Sequence, residues 1–306
     1  MIKEFELLKQ TLSSERCPHA FLFYGPSDIG KYETAINVAK FLNCENKNDN
    51  NFCDKCDQCR AINNLSHSDL FIVKKDDKKK EIVVDQIGDS KTDGSLIFNL
   101  RNSRLSGNYK ICIIKDIDYL NKFAANNLLK ILEEPPANTI FMLTTNNLKT
   151  VLDTIKSRCS IINFNLLNKA EIFKILENQN EIAYILSSNK YKKTLELKNL
   201  EYFEKIISEI KNFLNILNKS ESEKFLYIKK ILAEKPDLNY YIYIWESAIK
   251  ILIASDNNDG LKKFFGEYNI NRNKIAIKIK KLYNIKEAQK GNYIIKIYLN
   301  EFILNL

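Results

Sequence analysis

The run Ala20-Phe-Leu-Phe-Tyr24-Gly25-Pro-Ser-Asp-Ile-Gly30-Lys31-Tyr32 decides the fold. Its first five residues are near-continuously apolar, as suits a strand buried on both faces of a parallel sheet. Gly25 to Lys31 fit G-x-x-x-x-G-K in the setting that pattern requires, with a strand before it and a helix after it. Gly25 and Gly30 let backbone N–H groups curl around phosphate, the helix N-terminus favours negative charge, and Lys31 reaches the outer phosphates. A bland loop is the competing reading. The next position departs from the pattern: a Ser or Thr hydroxyl would coordinate Mg²⁺ there, and this chain has Tyr32. A phenol oxygen lies farther from the backbone, and its ring crowds the metal position. A site for magnesium-assisted hydrolysis therefore lacks a ligand.

Four more runs read as strands: Leu70-Phe-Ile-Val73, Ile111-Cys-Ile-Ile114, Ile140-Phe-Met-Leu143 and Ser160-Ile-Ile-Asn-Phe164. Helical patterns lie between them, the alternation expected of a parallel α/β sheet with helices on both faces. One pattern is Ala124, Leu128, Leu129, Ile131 and Leu132, stopped by Pro135-Pro136; another is Leu148, Val151, Leu152 and Ile155. After about residue 165 the strand pattern ends. Residues 166–200 read as a small group of short helices. Residues 201–306 read as longer amphipathic helices, such as Phe203-Ile206-Ile207-Ile210-Phe213-Leu214 and Ile242-Ile244-Ala248-Ile249-Ile251-Leu252. The expected organisation is an α/β domain over 1–165, a small helical domain and a helical C-terminal domain.

The chain has 306 residues, 45% hydrophobic and 28% charged, enough for two or three domains with their own cores. A formal net charge of +9 suits a phosphate-rich partner, although heavy use of Lys throughout explains it equally well. The start is a charged amphipathic pattern rather than a signal peptide, and the apolar stretch Tyr240 to Ile253 is interrupted by Glu246 and Lys250. A cytoplasmic protein with no membrane segment is expected. Seven cysteines, an odd number, argue against a secreted disulfide framework.

Cys44, Cys53, Cys56 and Cys59 give C-x8-C-x2-C-x2-C. The two short steps let neighbouring thiolates face one tetrahedral ion, and the longer loop returns the fourth ligand. Structural zinc is expected, against unligated thiols or a three-cysteine site completed by His67. Cys17 and Cys112 read as small core or surface residues.

Hydrolysis also needs an acidic pair at the end of a later strand, and the candidate is Lys110-Ile-Cys-Ile-Ile-Lys115-Asp116-Ile117-Asp118. Three further motifs are Asn127-Leu-Leu-Lys-Ile-Leu-Glu-Glu-Pro-Pro136, Thr144-Thr-Asn146 and Ser157-Arg158-Cys159. Together they resemble the AAA+ clamp-loader subunits of bacterial DNA polymerase III, the ATPase gamma/tau and its delta-prime partner, over Pro18 to about Phe164. Counted back without gaps from Leu-Leu-Lys, Lys115 falls where the ATPase members have the metal-binding Asp, and Asp116 where they have Glu. A one-residue slip would place Asp116 and Ile117 there instead. Either way the active site reads as retired, with nucleotide (ATP or ADP) binding without turnover left open by Gly25, Gly30 and Lys31.

The resemblance implies a zinc module at 44–59, and Arg158 as an arginine finger acting on the ATP site of an adjacent subunit. The alternative for Arg158 is a surface salt bridge. In ATPase members Thr144 or Thr145 would be the sensor near the γ-phosphate. The arginine that those members place in the lid has no match, since Ser187-Ser-Asn-Lys190-Tyr-Lys-Lys193 offers only lysines. The resemblance further implies a small helical lid, a C-terminal helical collar, and assembly with gamma/tau and delta subunits to load a sliding clamp on primed DNA. Of the two clamp-loader types, the delta-prime type fits the departures, as a subunit without ATPase activity of its own. A divergent gamma/tau-like ATPase is the first alternative. A zinc-bearing interaction protein outside replication is the second.

Overall fold

The computed structural model describes residues 3–14, 17–48, 51–76, 80–88, 95–102, 107–233, 238–255, 258–265, 280–282, 284–285 and 295–304. The chain divides into two compact units, one of residues 1–167 with 190–192, the other of residues 168–189 with 193–306.

The first unit is built on five parallel strands: β1 (Ala20–Tyr24), β2 (Leu70–Val73), β3 (Lys110–Ile114), β4 (Thr139–Thr145) and β5 (Ser160–Asn163). They lie in the order β2-β3-β4-β1-β5, so the strand carrying the phosphate-loop pattern sits inside the sheet. Among the described residues, the helices around this sheet include α1 (Lys3–Leu12), α2 (Lys31–Asn43), α3 (Asp57–Asn63), α4 (Val84–Ile87), α5 (Leu96–Asn102) and α6 (Lys122–Glu133). The apolar runs are continuous because alternate side chains serve two cores. Phe21, Phe23, Ile111, Ile113, Ile140 and Met142 pack with α1 and α2. Leu22, Cys112, Ile114, Phe141 and Leu143 pack on the other face with α5 and α6. Helices therefore cover both faces, as the sequence predicts.

Helix α6 follows its pattern: Asn121 caps it by accepting from the Ala124 N–H, and Ala124, Leu128, Ile131 and Leu132 are buried. The pattern Leu148-Val151-Leu152-Ile155 does not form one helix. A 3₁₀ turn (Leu148–Thr150) and a short helix, α7 (Asp153–Lys156), flank Val151 and Leu152, which are extended. The Thr150 hydroxyl donates to Asp118 Oδ1 at 2.6 Å, and this tie anchors the turn before Val151. Val151 and Ile155 still reach the core, while Leu152 is exposed.

The second unit is helical among the described residues. Its members include α8 (Lys169–Leu176), α9 (Glu181–Ser187) and three longer helices, Leu200–Leu217, Glu221–Ala233 and Leu238–Ser255. Trp245 is fully buried against the rings of Phe213 and Phe302, with centroids 5.9 and 5.3 Å away. Tyr243 donates to the Leu186 carbonyl at 3.0 Å and Lys250 to Ser188 Oγ at 2.7 Å, tying α9 to the last long helix. Among the described residues, no helix is long and apolar enough to cross a membrane.

Candidate functional site

The loop after β1 demands glycine. Gly25 has φ +148°, and a Cβ there would collide with the Phe164 carbonyl oxygen. Gly30 has φ +94° and precedes α2, which no side chain caps, so the first-turn amides of that helix face the loop. A cleft of about 340 Å³ opens at this place. Gly30, Lys31 and Tyr32 line it from the loop and helix, Lys115 and Asp116 from just after β3, Thr144 from β4, Asn146 from just after it, and Lys192 from later in the chain. This is the carboxyl edge of the strands, where open α/β sheets take their ligands.

Lys31 lies at the floor, only 6% exposed. Its Nζ donates to the carbonyls of Gly25 and Pro26, both at 2.6 Å, and to Asn146 Oδ1 at 3.0 Å. Burial pushes its pKa down, opposed by Asp116, Asp118, Asp28 and Glu33. Tyr32 does not present its oxygen as a small hydroxyl would. Its ring packs, half-buried, against the α1/α2 core, and burial pushes its phenol pKa up. The Lys115 ammonium lies 5.7 Å from the centroid of that ring. The two departures from a hydrolytic pattern thus adjoin one another.

The threonine hydroxyls here and the Asp118 carboxylate are already engaged. Thr144 Oγ1 accepts from the Asp116 N–H at 2.8 Å. Asp118 Oδ1 accepts from Thr145 and Thr150, both at 2.6 Å, and its Oδ2 accepts from the Asn146 N–H at 3.1 Å. Burial would raise the Asp118 pKa, but these donors outweigh it and leave the carboxyl below its ordinary value. Asp118 is therefore a staple between the ends of β3 and β4. Asn146, not either threonine, is the polar side chain that meets Lys31. It stands in the Thr144-Thr-Asn146 motif, but nothing in spacing alone distinguishes it from its neighbours. Lys192 lines the cleft although no motif in the sequence singles it out.

Cys44, Cys53, Cys56 and Cys59 bring their sulfurs within 4.8 Å of one another. The Cys44 Sγ lies 3.6 Å from that of Cys53 and 4.0 Å from that of Cys56. Ligands about 2.3 Å from a tetrahedral zinc would stand about 3.8 Å apart, so the donor set fits such an ion. Backbone amides point at the sulfurs: those of Lys55 and Cys56 donate to Cys53 Sγ at 3.4 and 3.3 Å, and that of Cys59 to Cys56 Sγ at 3.5 Å. The first two lower the Cys53 pKa to about 6, whereas burial raises those of Cys44 and Cys59. His67 stands apart from the cluster. Its Nε2 pairs with Gln58 Oε1, and its Nδ1 accepts from the Asp69 N–H at 3.0 Å. A residue that the sequence pattern does not single out is Lys40. It lies 4.1 Å over the Phe52 ring and donates to Asp54 Oδ1 at 2.7 Å, steadying the loop between the first cysteines.

Arg158 follows α7 at the surface. Its Nη2 pairs with Glu133 Oε1 at 2.5 Å, and its Nη1 donates to the Thr154 carbonyl at 2.9 Å.

This sheet order, with a phosphate-loop cleft at its carboxyl edge and a four-cysteine insertion, defines an α/β protein of the AAA+ class. Its fold is similar to the crystal structure of a DNA polymerase III gamma subunit-related protein from Thermotoga maritima, with a TM-score of 0.61 and 18% identity, covering 98% of this chain and 97% of that one. The chain belongs to the family described as DNA polymerase III, delta subunit, whose model matches residues 2–168, and within it to the delta-prime type of clamp-loader subunit. It is 28% identical over 268 residues to DNA polymerase III subunit delta' of Bacillus subtilis, across 82% of this chain and 78% of that protein. It is also 33% identical over 180 residues to DNA polymerase III subunit tau of Escherichia coli, across 58% of this chain and 27% of that one.

Proposed function

We propose that this chain is a non-hydrolysing member of the clamp loader, and that Arg158 completes the ATP site of a neighbouring gamma/tau subunit. The observation that carries the first half is the pairing of Tyr32 with Lys115 beside the cleft. Hydrolysis needs oxygen ligands for Mg²⁺ and a carboxylate to activate water. At those places this chain offers an aromatic ring and an ammonium, and Asp118 is spent on threonines.

The second half is supported by chemistry and position. A guanidinium is planar, permanently charged and able to meet developing phosphate charge with paired hydrogen bonds. Arg158 stands in Ser157-Arg158-Cys159 at the surface, where it pairs with Glu133 and donates to the Thr154 carbonyl and the Ser157 hydroxyl. The ion held by Cys44, Cys53, Cys56 and Cys59 is zinc in this reading, closed to substrate and therefore structural. Residues 166–200 would act as the lid and 201–306 as the collar joining gamma/tau and delta subunits around primed DNA and the sliding clamp. Reconstitution with those subunits tests the reading. Clamp loading should depend on this chain, while the purified chain alone should release no phosphate from ATP. Steady turnover by the pure chain would favour a divergent gamma/tau-like ATPase.

A further inference from the structure

The cleft at Lys31 has lost a set of metal ligands, yet it remains open and carries three lysines. Lys31, Lys115 and Lys192 all line it. The uncapped N-terminus of α2, a 13-residue helix, adds backbone donors that no side chain takes up. Of the three acceptors that hold Lys31, two are loop carbonyls and the third is the Asn146 side chain. A phosphate oxygen can take the place of that amide without disturbing the loop. Opposing charge is present but partly committed: Asp28 pairs with Lys190 at 3.4 Å, leaving Glu33 and Asp116 beside the cleft.

Magnesium has little to bind here. It wants a near-octahedral shell of oxygens, drawn from carboxylates and small hydroxyls as well as phosphate. The Thr144 hydroxyl accepts from the Asp116 amide, the Thr145 hydroxyl and both Asp118 oxygens are engaged together, and the Tyr32 ring packs into the core. At the strand end, Asp116 alone among the described residues brings a carboxylate to the cleft. The group beside it is an exposed ammonium, Lys115.

We propose that this cleft binds the phosphate chain of a nucleoside diphosphate or triphosphate without a divalent cation, Lys115 supplying the positive charge that a metal would otherwise bring. The inference rests on the reading that the cleft has lost its hydrolytic ligands. It makes the site a structural nucleotide pocket rather than an empty relic. A volume of about 340 Å³ lies within the usual range of roughly 300–1,000 Å³ for small-molecule sites.

Calorimetric titration of the full chain with ADP tests this in buffer freed of divalent ions by resin. No chelator is added, so that the cysteine module keeps any metal it holds. Binding should appear without magnesium, and millimolar magnesium should change the dissociation constant by less than about threefold. Pyrophosphate should compete with ADP and adenosine should not. Lys115→Asp should weaken metal-free binding by about tenfold or more, a loss of about 1.4 kcal/mol, and magnesium should restore part of it. Lys31→Ala, checked by thermal denaturation for an intact fold, should abolish binding. The proposal is overturned by no binding of ADP at millimolar concentration, by a strict requirement for magnesium, by adenosine competing as well as ADP, or by Lys115→Asp binding as the unmodified chain does. Absence of binding alone leaves the non-hydrolysing role standing. Metal-dependent binding accompanied by phosphate release sinks both.

Discussion

The Arg158 guanidinium and the Glu133 carboxylate meet at 2.5 Å across a separation of 25 residues, joining the surface after α7 to the last residue of α6. Both side chains keep solvent contact, at 32% and 50% exposure, and pairs of this kind contribute about 0–1 kcal/mol. Arg158→Ala should therefore leave folding and assembly intact, with an unfolding midpoint close to that of the unmodified chain. It should nonetheless lower the DNA- and clamp-stimulated ATPase of the reconstituted loader. A finger is worth roughly 10³–10⁵ in rate at a single site, and several sites in one assembly dilute the total loss. Arg158→Lys should resemble Ala, because an ammonium lacks the two-pronged geometry. An Ala variant that assembles and hydrolyses at the unmodified rate would reduce Arg158 to a surface residue.

Zinc should be present at about one ion per chain in protein purified without added metal. Its retention should depend steeply on acid. Metal binding needs thiolates, and burial raises the Cys44 and Cys59 pKa values, so both must lose protons on binding. Those two alone make apparent affinity fall by about a hundredfold for each pH unit below neutrality, ten for each proton. The Cys53 thiol, its pKa lowered to about 6, is half protonated near that pH and steepens the loss further below it. A chromophoric chelator competition across pH measures this slope, and a flat profile would exclude thiolate ligation. Cys56→Ser should loosen the 44–59 loop while the sheet and its two cores survive.

The sheet, α6 and the cysteine cluster were legible because each has a local cause. Buried strands write unbroken apolar runs, Asn121 and Pro135-Pro136 punctuate a helix, and paired cysteines fix their own spacing. The cleft was legible only where a motif names the residue. Asn146 and the Asp118 staple depend on strands brought side by side, and Lys192 on a helix distant in sequence; no period in the sequence records which neighbour will meet which. The broken helix at Leu148–Ile155 shows the same limit. Its spacing suits a helix, but contact between Thr150 and a carboxylate 32 residues away is a tertiary fact.

Asp118→Ala should destabilise the first unit by about 1–3 kcal/mol, since the hydrogen bonds that Thr145, Thr150 and the Asn146 amide make to a charged acceptor are lost. The carboxyl pKa lies below its ordinary value when folded. Its contribution is therefore complete above the unfolded value of about 3.9 and is lost as pH falls through the lower folded value. Chemical denaturation of the variant and the parent should differ most at neutral pH and converge in strong acid. A constant difference from neutral pH down to the acid limit would mean that packing, not charge, holds this corner.

The purified chain should not turn over ATP, and Tyr32→Thr should not rescue it. Threonine would restore a small hydroxyl at the start of α2, and the ring would leave the core edge where it now packs. The ammonium of Lys115 would still stand beside the place of the metal, repelling a divalent cation, and Asp118 would still be spent on its threonines. Coordination needs the ligands together, so one restored oxygen brings no Mg²⁺. Phosphate release should be followed for the parent, Tyr32→Thr and Lys31→Ala in parallel. Lys31→Ala identifies contaminating activity, which it cannot abolish. Activity in either of the other two that vanishes with Lys31→Ala on the same background would mean that the cleft does hydrolyse, with Tyr32 or Asp116 filling roles this geometry denies them.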